Sequence, residues 1–409
     1  MFRRLGVFAG GFTIEAAEQV CDRGDLDTDV LEGLASLVDK SLVRTADEDQ
    51  ERFSMLETIR EFAQEKLEES GEAQGIRRAH AMFFRALAEE AEPHLTGPDQ
   101  KQWLDRLEHE HDNLRAALKF ALQREPASGL RIAASLRRFW WIRSHLSEGQ
   151  LWLGDALDRS SEQPADIRAK VLYAFAFLAQ VQGDNTVAEN RCLQALELFR
   201  SVGDDAGAAR ALVVLGTAAE EKGDFHGARR YHQESLAAYE GLEDSGGVAV
   251  ALGNLSNVAL KQHVLGDAEA LAKKSLDLYR QLGISEGVAA SLINIGLAAM
   301  ERGDVEEARA ALRDCSTIAS NLGHKELLTH SLIGLAAAAS ASTRFIEGAR
   351  LVGAAQSLTD ATGAQLPVIE KAVLDRTLAE IKANLSDEAF DEALAEGRTT
   401  DFRDILRAS

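Results

Sequence analysis

Proline, cysteine and aromatic residues are scarce in this 409-residue chain, which has 5 Pro, 3 Cys and 6% aromatic residues. The apolar residues, 45% of the chain, are mostly Ala and Leu, which favour helices, and few prolines interrupt them. Cys21, Cys192 and Cys315 are too widely spaced for a zinc knuckle or a disulfide framework. We therefore expect a helical protein of the reducing cytoplasm.

Basic charge and long apolar runs are also lacking. The net charge is -21, which repels nucleic acid and anionic membranes unless basic residues are concentrated in one patch. No stretch approaches the ~20 apolar residues of a membrane helix. The densest basic segment, 131–143, interleaves arginines with Phe139, Trp140 and Trp141. We interpret it as an amphipathic helix with core aromatics, the alternative being a nucleic-acid stacking site.

Corresponding residues recur every 40 positions between Pro164 and Pro367, a span without proline. The registers comprise Ala188, Ala228, Ala268 and Ala308; Leu212, Leu252, Leu292 and Leu332; Gly183-Asp184, Gly223-Asp224 and Gly303-Asp304; and Gly203, Gly283 and Gly323, with Glu243 standing in once. A fifth copy near Phe345 continues with a one-residue slip. Such periodicity indicates a repeat protein.

Each repeat unit predicts two helices, for example 206–222 and 225–242. Glycine suits the left-handed end of the first helix, and the aspartate after it can cap the second. One helix pair cannot bury its apolar face alone, so neighbouring pairs must stack. The pattern resembles tetratricopeptide repeats (TPR), although its unit is longer than their usual length of about 34 residues. The resemblance implies an all-α, right-handed superhelix of TPR-like repeats, with other helical solenoids as the alternative.

Residues 1–72 predict a small winged-helix domain. Thr13 and Asp29 can cap two helices, the second with Val30, Leu31, Leu34, Val38 and Leu42 on one face. Strands at 41–45 and 51–55 flank an acidic turn at 47–49, forming a short β-hairpin wing. A last helix carries Ile59, Phe62, Ala63 and Leu67 as its apolar stripe and stops at Gly71. This segment has 8 Lys and Arg against 18 Asp and Glu, so we expect no direct DNA binding.

Several segments resemble the C-terminal part of bacterial STAND regulators, signal-transduction ATPases with numerous domains. Residues 2–13 (FRRLGVFAGGFT), 37–43 (LVDKSLV) and 56–63 (LETIREFA) resemble the winged helix that closes their nucleotide-binding (NB-ARC) module. Residues 103–108 (WLDRLE), 113–118 (NLRAAL) and 139–141 (FWW) resemble the helical region that follows. We accordingly divide the chain into a winged-helix domain (1–72), a helical connector with a degenerate repeat (73–165) and a TPR-like solenoid with C-terminal capping helices (166–409).

The wider family has a Met-His-Asp motif that contacts bound ADP, and the matching residues here are Met55, Leu56 and Glu57. Leucine cannot donate a hydrogen bond to phosphate, which speaks against such a contact. We expect Met55 and Leu56 to be core residues at the junction of strand and helix.

The chain lacks the GxxxxGK[ST] phosphate-binding loop, since Lys40-Ser41 has no accompanying glycines. We expect no enzyme activity and no cofactor, because ATP or ADP would need an upstream nucleotide-binding module. The resemblance implies the sensor and protein-interaction region of a STAND-type transcriptional regulator. Its solenoid would receive a protein, a peptide or a small inducer. The alternative is a stand-alone TPR scaffold without any ATPase.

Three asparagines mark the expected ligand groove, on the concave face lined by the first helices of the repeats. Asn254 and Asn294 lie one repeat apart, and Asn257 lies three residues further on the same helical face. In long-repeat relatives, an asparagine at such a position holds the backbone of an extended peptide, because its amide is both donor and acceptor. The alternative is that these amides only join neighbouring helices.

The missing phosphate-binding loop leads to the first prediction, that this chain alone does not bind ATP or ADP. Without a cradle of backbone N–H groups, nothing compensates the charge of the phosphates. Calorimetric titration with either nucleotide and Mg²⁺ should give no heat of binding. Micromolar affinity would contradict the prediction.

Overall fold

The N-terminal segment of the computed structural model folds as a winged helix. The structure describes residues 1–25, 29–47, 52–362, 366 and 368–407. The elements in this segment are α1 (Phe2–Leu5), β1 (Phe12–Thr13), α2 (Ile14–Cys21), α3 (Val30–Asp39), β2 (Arg44–Asp47), β3 (Arg52–Ser54) and α4 (Glu57–Glu69). Both predicted N-caps are confirmed. Thr13 Oγ1 accepts a hydrogen bond from the Ala16 amide at 3.2 Å, and Asp29 Oδ1 accepts one from the Leu31 amide at 2.8 Å.

The sheet differs from the predicted hairpin, because β1 adds a third antiparallel strand in the order β1-β3-β2. Phe12 pairs with Phe53, and stacking of their rings, whose centroids are 6.0 Å apart, favours this addition. Strand β2 begins at Arg44, later than the predicted start at Ser41. Most of the predicted acidic turn lies outside the described residues.

Two residues predicted on buried helix faces are exposed instead. Leu31 of α3 is 53% exposed and Phe62 of α4 is 49% exposed, so both placements were wrong. Each residue lies next in sequence to a buried one, Val30 or Ala63. A step of one residue turns a helix by about 100°, which moves its side chain off the buried face of these short helices.

Helices α5 to α10 follow the winged helix. They are α5 (Ala73–His94), α6 (Gln100–His109), α7 (His111–Arg124), α8 (Pro126–Ser135), α9 (Arg137–Ile142) and α10 (Leu146–Asp158). At the start of α7, the Asn113 amide holds the turn before β1. Its Oδ1 accepts from the Ala9 N–H at 2.8 Å, and its Nδ2 donates to the Gly11 carbonyl at 2.7 Å. These bonds join the winged helix to the helices after it.

The chain forms two compact units. The first comprises Met1–Leu95, Gln102–Leu136 and Trp152–Ile167, and the second comprises Thr96–Lys101, Arg137–Leu151 and Arg168–Ser409. Residues of the segment 73–165 therefore contribute to both units. In the second unit, Phe139 and Trp140 of α9 are fully buried, which confirms that they are core aromatics, while Trp141 is half-buried. The basic segment 131–143 is not the single amphipathic helix that we predicted, because it is divided between α8 and α9.

In the described part of the chain, five pairs of helices of similar length form the repeats. They are α11 (Ala165–Val181), α12 (Asn185–Val202), α13 (Asp205–Glu221), α14 (Phe225–Gly241), α15 (Ser245–Lys261), α16 (Leu265–Leu282), α17 (Ser285–Arg302), α18 (Val305–Leu322), α19 (Lys325–Ala341) and α20 (Phe345–Thr362). From α12 onward, corresponding helices begin at the constant interval that the sequence registers predicted. The predicted slip in the fifth copy was wrong, because α20 begins at the same interval after α18 as α18 does after α16.

The predicted Gly-Asp caps are confirmed. Gly183, Gly223 and Gly303 are left-handed, with φ of 82–83°. The aspartate after each glycine accepts a hydrogen bond from a backbone amide three residues on, as between Asp224 and the Gly227 N–H at 2.9 Å. Glu243 is left-handed as well, with φ 55°, in the place where other repeats have glycine. These turns fix the length of every unit.

Successive repeats pack through an aromatic ring set against a glycine. A Cβ atom on the glycine would overlap ring atoms in three successive pairs, which are Phe199–Gly207, Tyr239–Gly247 and Tyr279–Gly287. The fourth pair reverses the sizes, since Ala319 and Leu327 occupy the corresponding positions and both are buried. Close approach of the helices thus depends on one small residue in each pair.

Helices α21 (Val368–Asn384), α22 (Asp387–Thr399) and α23 (Phe402–Arg407) follow the repeats. Helix α22 packs on α20, where Gly353 and Gly397 allow the two backbones to approach closely. None of the helices in the described part of the chain combines the length and the apolar character needed to cross a membrane.

The glycine–ring contacts lead to a stability prediction. Gly287→Ala should lower the free energy of unfolding by about 1–3 kcal/mol, because its Cβ would overlap the Tyr279 ring. In a Tyr279→Ala background the same change should stabilise by up to ~1 kcal/mol, because alanine favours a helix over glycine. Chemical denaturation of the unmodified protein, the two single variants and the double variant measures these free energies as a double-mutant cycle. Gly266→Ala, where nothing lies within 4 Å of the added Cβ, is the control and should not destabilise. A cost for Gly287→Ala that is equal in both backgrounds would contradict the packing argument.

Candidate functional site

A cavity of about 930 Å³ lies in the second unit, between the repeats and α21. One wall consists of the C-terminal turns of the first helices of four successive repeats, α13, α15, α17 and α19. Helix α21 supplies the opposite wall. The lining residues include Glu220, Glu221, Lys222, Phe225, Leu260, Lys261, Leu297, Met300, Glu301, Ala337, Ala341, Val373, Arg376, Thr377 and Glu380. This volume is in the range of ligand pockets in proteins.

The repeat interval produces this wall. Residues 221, 261, 301 and 341 occupy one register, and their side chains are Glu, Lys, Glu and Ala. A second register, residues 260 and 300, adds Leu and Met, and a third, residues 297 and 337, adds Leu and Ala. Because corresponding helices present the same face, these positions form a continuous strip of mixed apolar and charged character.

Lys261 forms a buried ionic cluster in the cavity wall. Its side chain is only 6% exposed, and its Nζ lies 2.9 Å from Glu220 Oε1 and 2.6 Å from Glu221 Oε1. Burial by itself would lower the pKa of Lys261, but the two adjacent carboxylates outweigh it and raise that pKa. Lys261 is therefore a permanently charged, fixed part of the wall. Removing either the lysine or its two carboxylates would leave a buried charge uncompensated.

Helix α21 is tied to the repeats by polar contacts around the cavity. A terminal guanidinium nitrogen of Arg376 lies 2.8 Å from Glu301 Oε1, and the Ser340 hydroxyl donates to Glu380 Oε2 at 2.8 Å. Val373 and Thr377 are buried between these contacts. Arg376 itself is 66% exposed, in contrast to Lys261.

The three predicted asparagines lie on the same strip, one or two turns before the cavity. Asn257 precedes Lys261 by four residues, and Asn294 precedes Glu301 by seven, which are helical-face spacings. Asn294 is buried, and its Nδ2 donates to the Gly253 carbonyl at 3.1 Å, joining α17 to α15. Asn254 and Asn257 are half-buried. None of the three lines the cavity, whose charged residues were not predicted as a site.

The residues matching the Met-His-Asp motif lie at the start of α4. Leu56 is 44% exposed, so the prediction that it belongs to the core was wrong, while Met55 is half-buried. Leu56 is the extended residue before the helix, with φ -61° and ψ 146°, and thus lies outside the buried stripe. Glu57 is exposed and pairs with Arg60.

The winged helix presents little positive charge. Helix α3 is the second helix of the pair α2–α3, the one expected to read a DNA groove, and it contains no Lys or Arg. Arg4 is buried, with its guanidinium 2.6 Å from Asp25 and 2.8 Å from Glu72. Hydrogen bonds from Arg3 and Arg4 hold the pKa of Glu72 well below its usual range. Arg3 and Arg4 therefore form ion pairs within the winged helix.

The three cysteines are poor candidates for chemistry. Cys21, Cys192 and Cys315 are all buried, and burial raises the pKa of each thiol, to about 12 for Cys21 and Cys315. A thiol needs its thiolate form to act as a nucleophile. The cavity wall itself combines fixed charges with apolar side chains.

Two family models match this chain. Residues 1–68 match a winged helix-turn-helix domain, and residues 168–241, 215–281 and 247–321 match the tetratricopeptide repeat. Over 233 residues the chain is 37% identical to proteins of Mycobacterium bovis and Mycobacterium tuberculosis that are named as HTH-type transcriptional regulators. The match covers 54% of this chain and 26% of those proteins. The chain thus spans about a quarter of the length of these curated relatives.

Among solved structures, the chain is similar to NprR in complex with its cognate peptide NprX, with a TM-score of 0.55 and 17% identity. That match covers 93% of this chain and 99% of NprR. It is also similar to a Rap protein complexed with Competence and Sporulation Factor, with a TM-score of 0.50 and 15% identity, covering 79% and 96% of the two chains. At these identities the similarity concerns the fold alone. The chain therefore combines a winged-helix N-terminus with a tetratricopeptide-repeat superhelix, and it is homologous to proteins named as HTH-type transcriptional regulators.

Proposed function

We propose that this chain is the sensor and protein-interaction region of a STAND-type transcriptional regulator. The strip formed by the first helices of its repeats would receive a peptide, a partner protein or a small inducer. The cavity between the strip and α21 carries the proposal, because it offers about 930 Å³ of space with apolar walls and fixed charges. Homology to longer proteins named as regulators supports the regulatory role.

The proposal assigns a regulatory role without chemistry of its own to this chain. The buried thiols and the absence of a phosphate-binding loop from the sequence support that assignment. Nucleotide hydrolysis would be the task of a separate module of the regulator. The winged helix would then connect that module to the repeats, as the resemblance of residues 2–13 and 37–43 to STAND proteins suggests.

The winged helix leads to a prediction about DNA. The full chain should not bind duplex DNA at low salt, where electrostatic attraction is strongest, because α3 lacks basic residues and residues 1–72 are strongly acidic. Gel-shift and fluorescence-anisotropy titrations up to micromolar protein measure this. A salt-sensitive complex that is weakened by the double substitution Lys40→Glu and Arg44→Glu would contradict the prediction. These substitutions remove exposed basic residues beside α3 and on β2.

The cavity leads to a prediction about ligand binding. A displayed random heptapeptide library panned against the full chain should yield enriched sequences, and Ala337→Trp should abolish their binding because the indole projects into the cavity and obstructs part of it. Asn254→Ala with Asn257→Ala should weaken the same peptides about tenfold, by loss of one or two hydrogen bonds, with the melting temperature unchanged within a few degrees. Asn294→Ala should instead destabilise by about 1 kcal/mol, because its bond to Gly253 is lost.

The matched control is Glu240→Trp, which places the same side chain at an exposed position on the second helix α14. This variant should retain peptide binding. If Ala337→Trp, folded as judged by its thermal unfolding, binds the enriched peptides as well as the control does, the cavity is not the site.

A further inference from the structure

Two of the cations that line the cavity, Lys261 and Arg376, differ in how firmly they are held. Lys261 belongs to the repeat strip itself, is almost completely buried and contacts two carboxylates. Arg376 comes from α21, is mostly exposed and pairs with one carboxylate, that of Glu301. Glu301 lies one repeat after Lys261 in the same register, but Lys261 pairs with the two glutamates of the preceding repeat. The cation that pairs with Glu301 comes from α21 instead.

The exposure of each pair determines how easily it can be replaced. Separating buried Lys261 from Glu220 and Glu221 would leave charges without solvent or partner, which is costly. An exposed pair such as Arg376–Glu301 contributes little, because water solvates both groups once they separate. Glu301 is therefore the carboxylate in the cavity whose cation can be exchanged at small cost.

Apolar side chains adjoin this carboxylate. Leu297 lies one turn before Glu301 on α17, Met300 precedes it directly, and Val373 lies one turn before Arg376 on α21; all of them line the cavity. The cavity lining holds four glutamates against Lys222, Lys261 and Arg376. Residues 168–409 carry 34 Asp and Glu against 24 Lys and Arg. The long-range electrostatic field is therefore negative, like the net charge of the cavity lining.

We propose that the cavity binds a peptide segment in which an arginine or lysine side chain is flanked by apolar residues. The basic side chain takes the place of the Arg376 guanidinium at Glu301, while its apolar neighbours contact Leu297, Met300 and Val373. This assignment rests on the proposed function and specifies its ligand. Arg376 acts as an internal competitor for the ligand's cation.

Four synthetic probes test the charge preference. They are fluorescein-labelled heptapeptides, acetylated and amidated at their ends, with leucine and alanine around a central Arg, Lys, norleucine or Glu. Anisotropy titration of the full chain should give tighter binding for the Arg and Lys peptides than for the norleucine and Glu peptides. Their affinity should fall as salt is raised.

Two variants test the exchange. Glu301→Gln should weaken the Arg peptide about two- to fivefold, because the amide still accepts a hydrogen bond but no longer attracts the guanidinium by its charge. Arg376→Ala should tighten it about two- to fivefold, since an exposed pair no longer competes. Arg350→Ala is the matched control, because Arg350 also pairs a glutamate, Glu396 at 2.7 Å, but lies outside the cavity lining. It should leave the affinity unchanged.

The outcomes separate this inference from the proposed function. Suppose that Ala337→Trp abolishes binding, but the four probes bind the unmodified chain equally well or Glu301→Gln and Arg376→Ala do not change the affinity. The cavity is then the ligand site, and the proposed exchange at Glu301 is wrong. If the Arg peptide binds equally well to Ala337→Trp, or no probe binds and the peptide library gives no enrichment, both proposals are overturned. If library peptides bind in the cavity but the Arg and Lys probes do not, the inference alone is overturned.

Discussion

The left-handed residue between one repeat helix and the next is the constraint on which the repeat unit depends. It limits the turn to a few residues, so the next helix begins at a fixed interval, as Ser245, Ser285 and Lys325 do. Corresponding side chains then occupy one face of successive helices. The cavity wall is a direct consequence, because Lys261 and Glu301 could not share a strip if one turn were a residue longer.

Features governed by a few consecutive residues could be predicted from the sequence. A glycine followed by aspartate, as at Gly223-Asp224, ends one helix and caps the next through contacts within four residues. The repeat interval and the two N-caps of the winged helix follow from the same local chemistry. The left-handed conformation of Glu243 could be predicted as well, because Glu243 occupies the register in which the other repeats have glycine.

Features that join distant segments could not be predicted. Arg376 and Glu301 are 75 residues apart, and no repeat register relates α21 to the strip. The strand β1 likewise depends on Phe12 meeting Phe53 across the domain. Leu56 was misplaced because an apolar residue beside a short helix can lie on either side of its buried stripe. The three asparagines lie on the same helical face as the cavity wall, but the charges that line the cavity lie one or two turns further along that face.

The reversal of sizes between Tyr279–Gly287 and Ala319–Leu327 makes the order of the repeats part of the fold. If residues 285–324 were excised, the helix with Tyr279 would join the helix with Leu327, and a ring would meet a branched side chain. Excision of 245–284 would bring Tyr239 to Gly287, a pair of the same sizes as before. The array can therefore gain or lose a unit by recombination in its earlier part, whereas the boundary between the fourth and fifth repeats cannot be crossed without repacking.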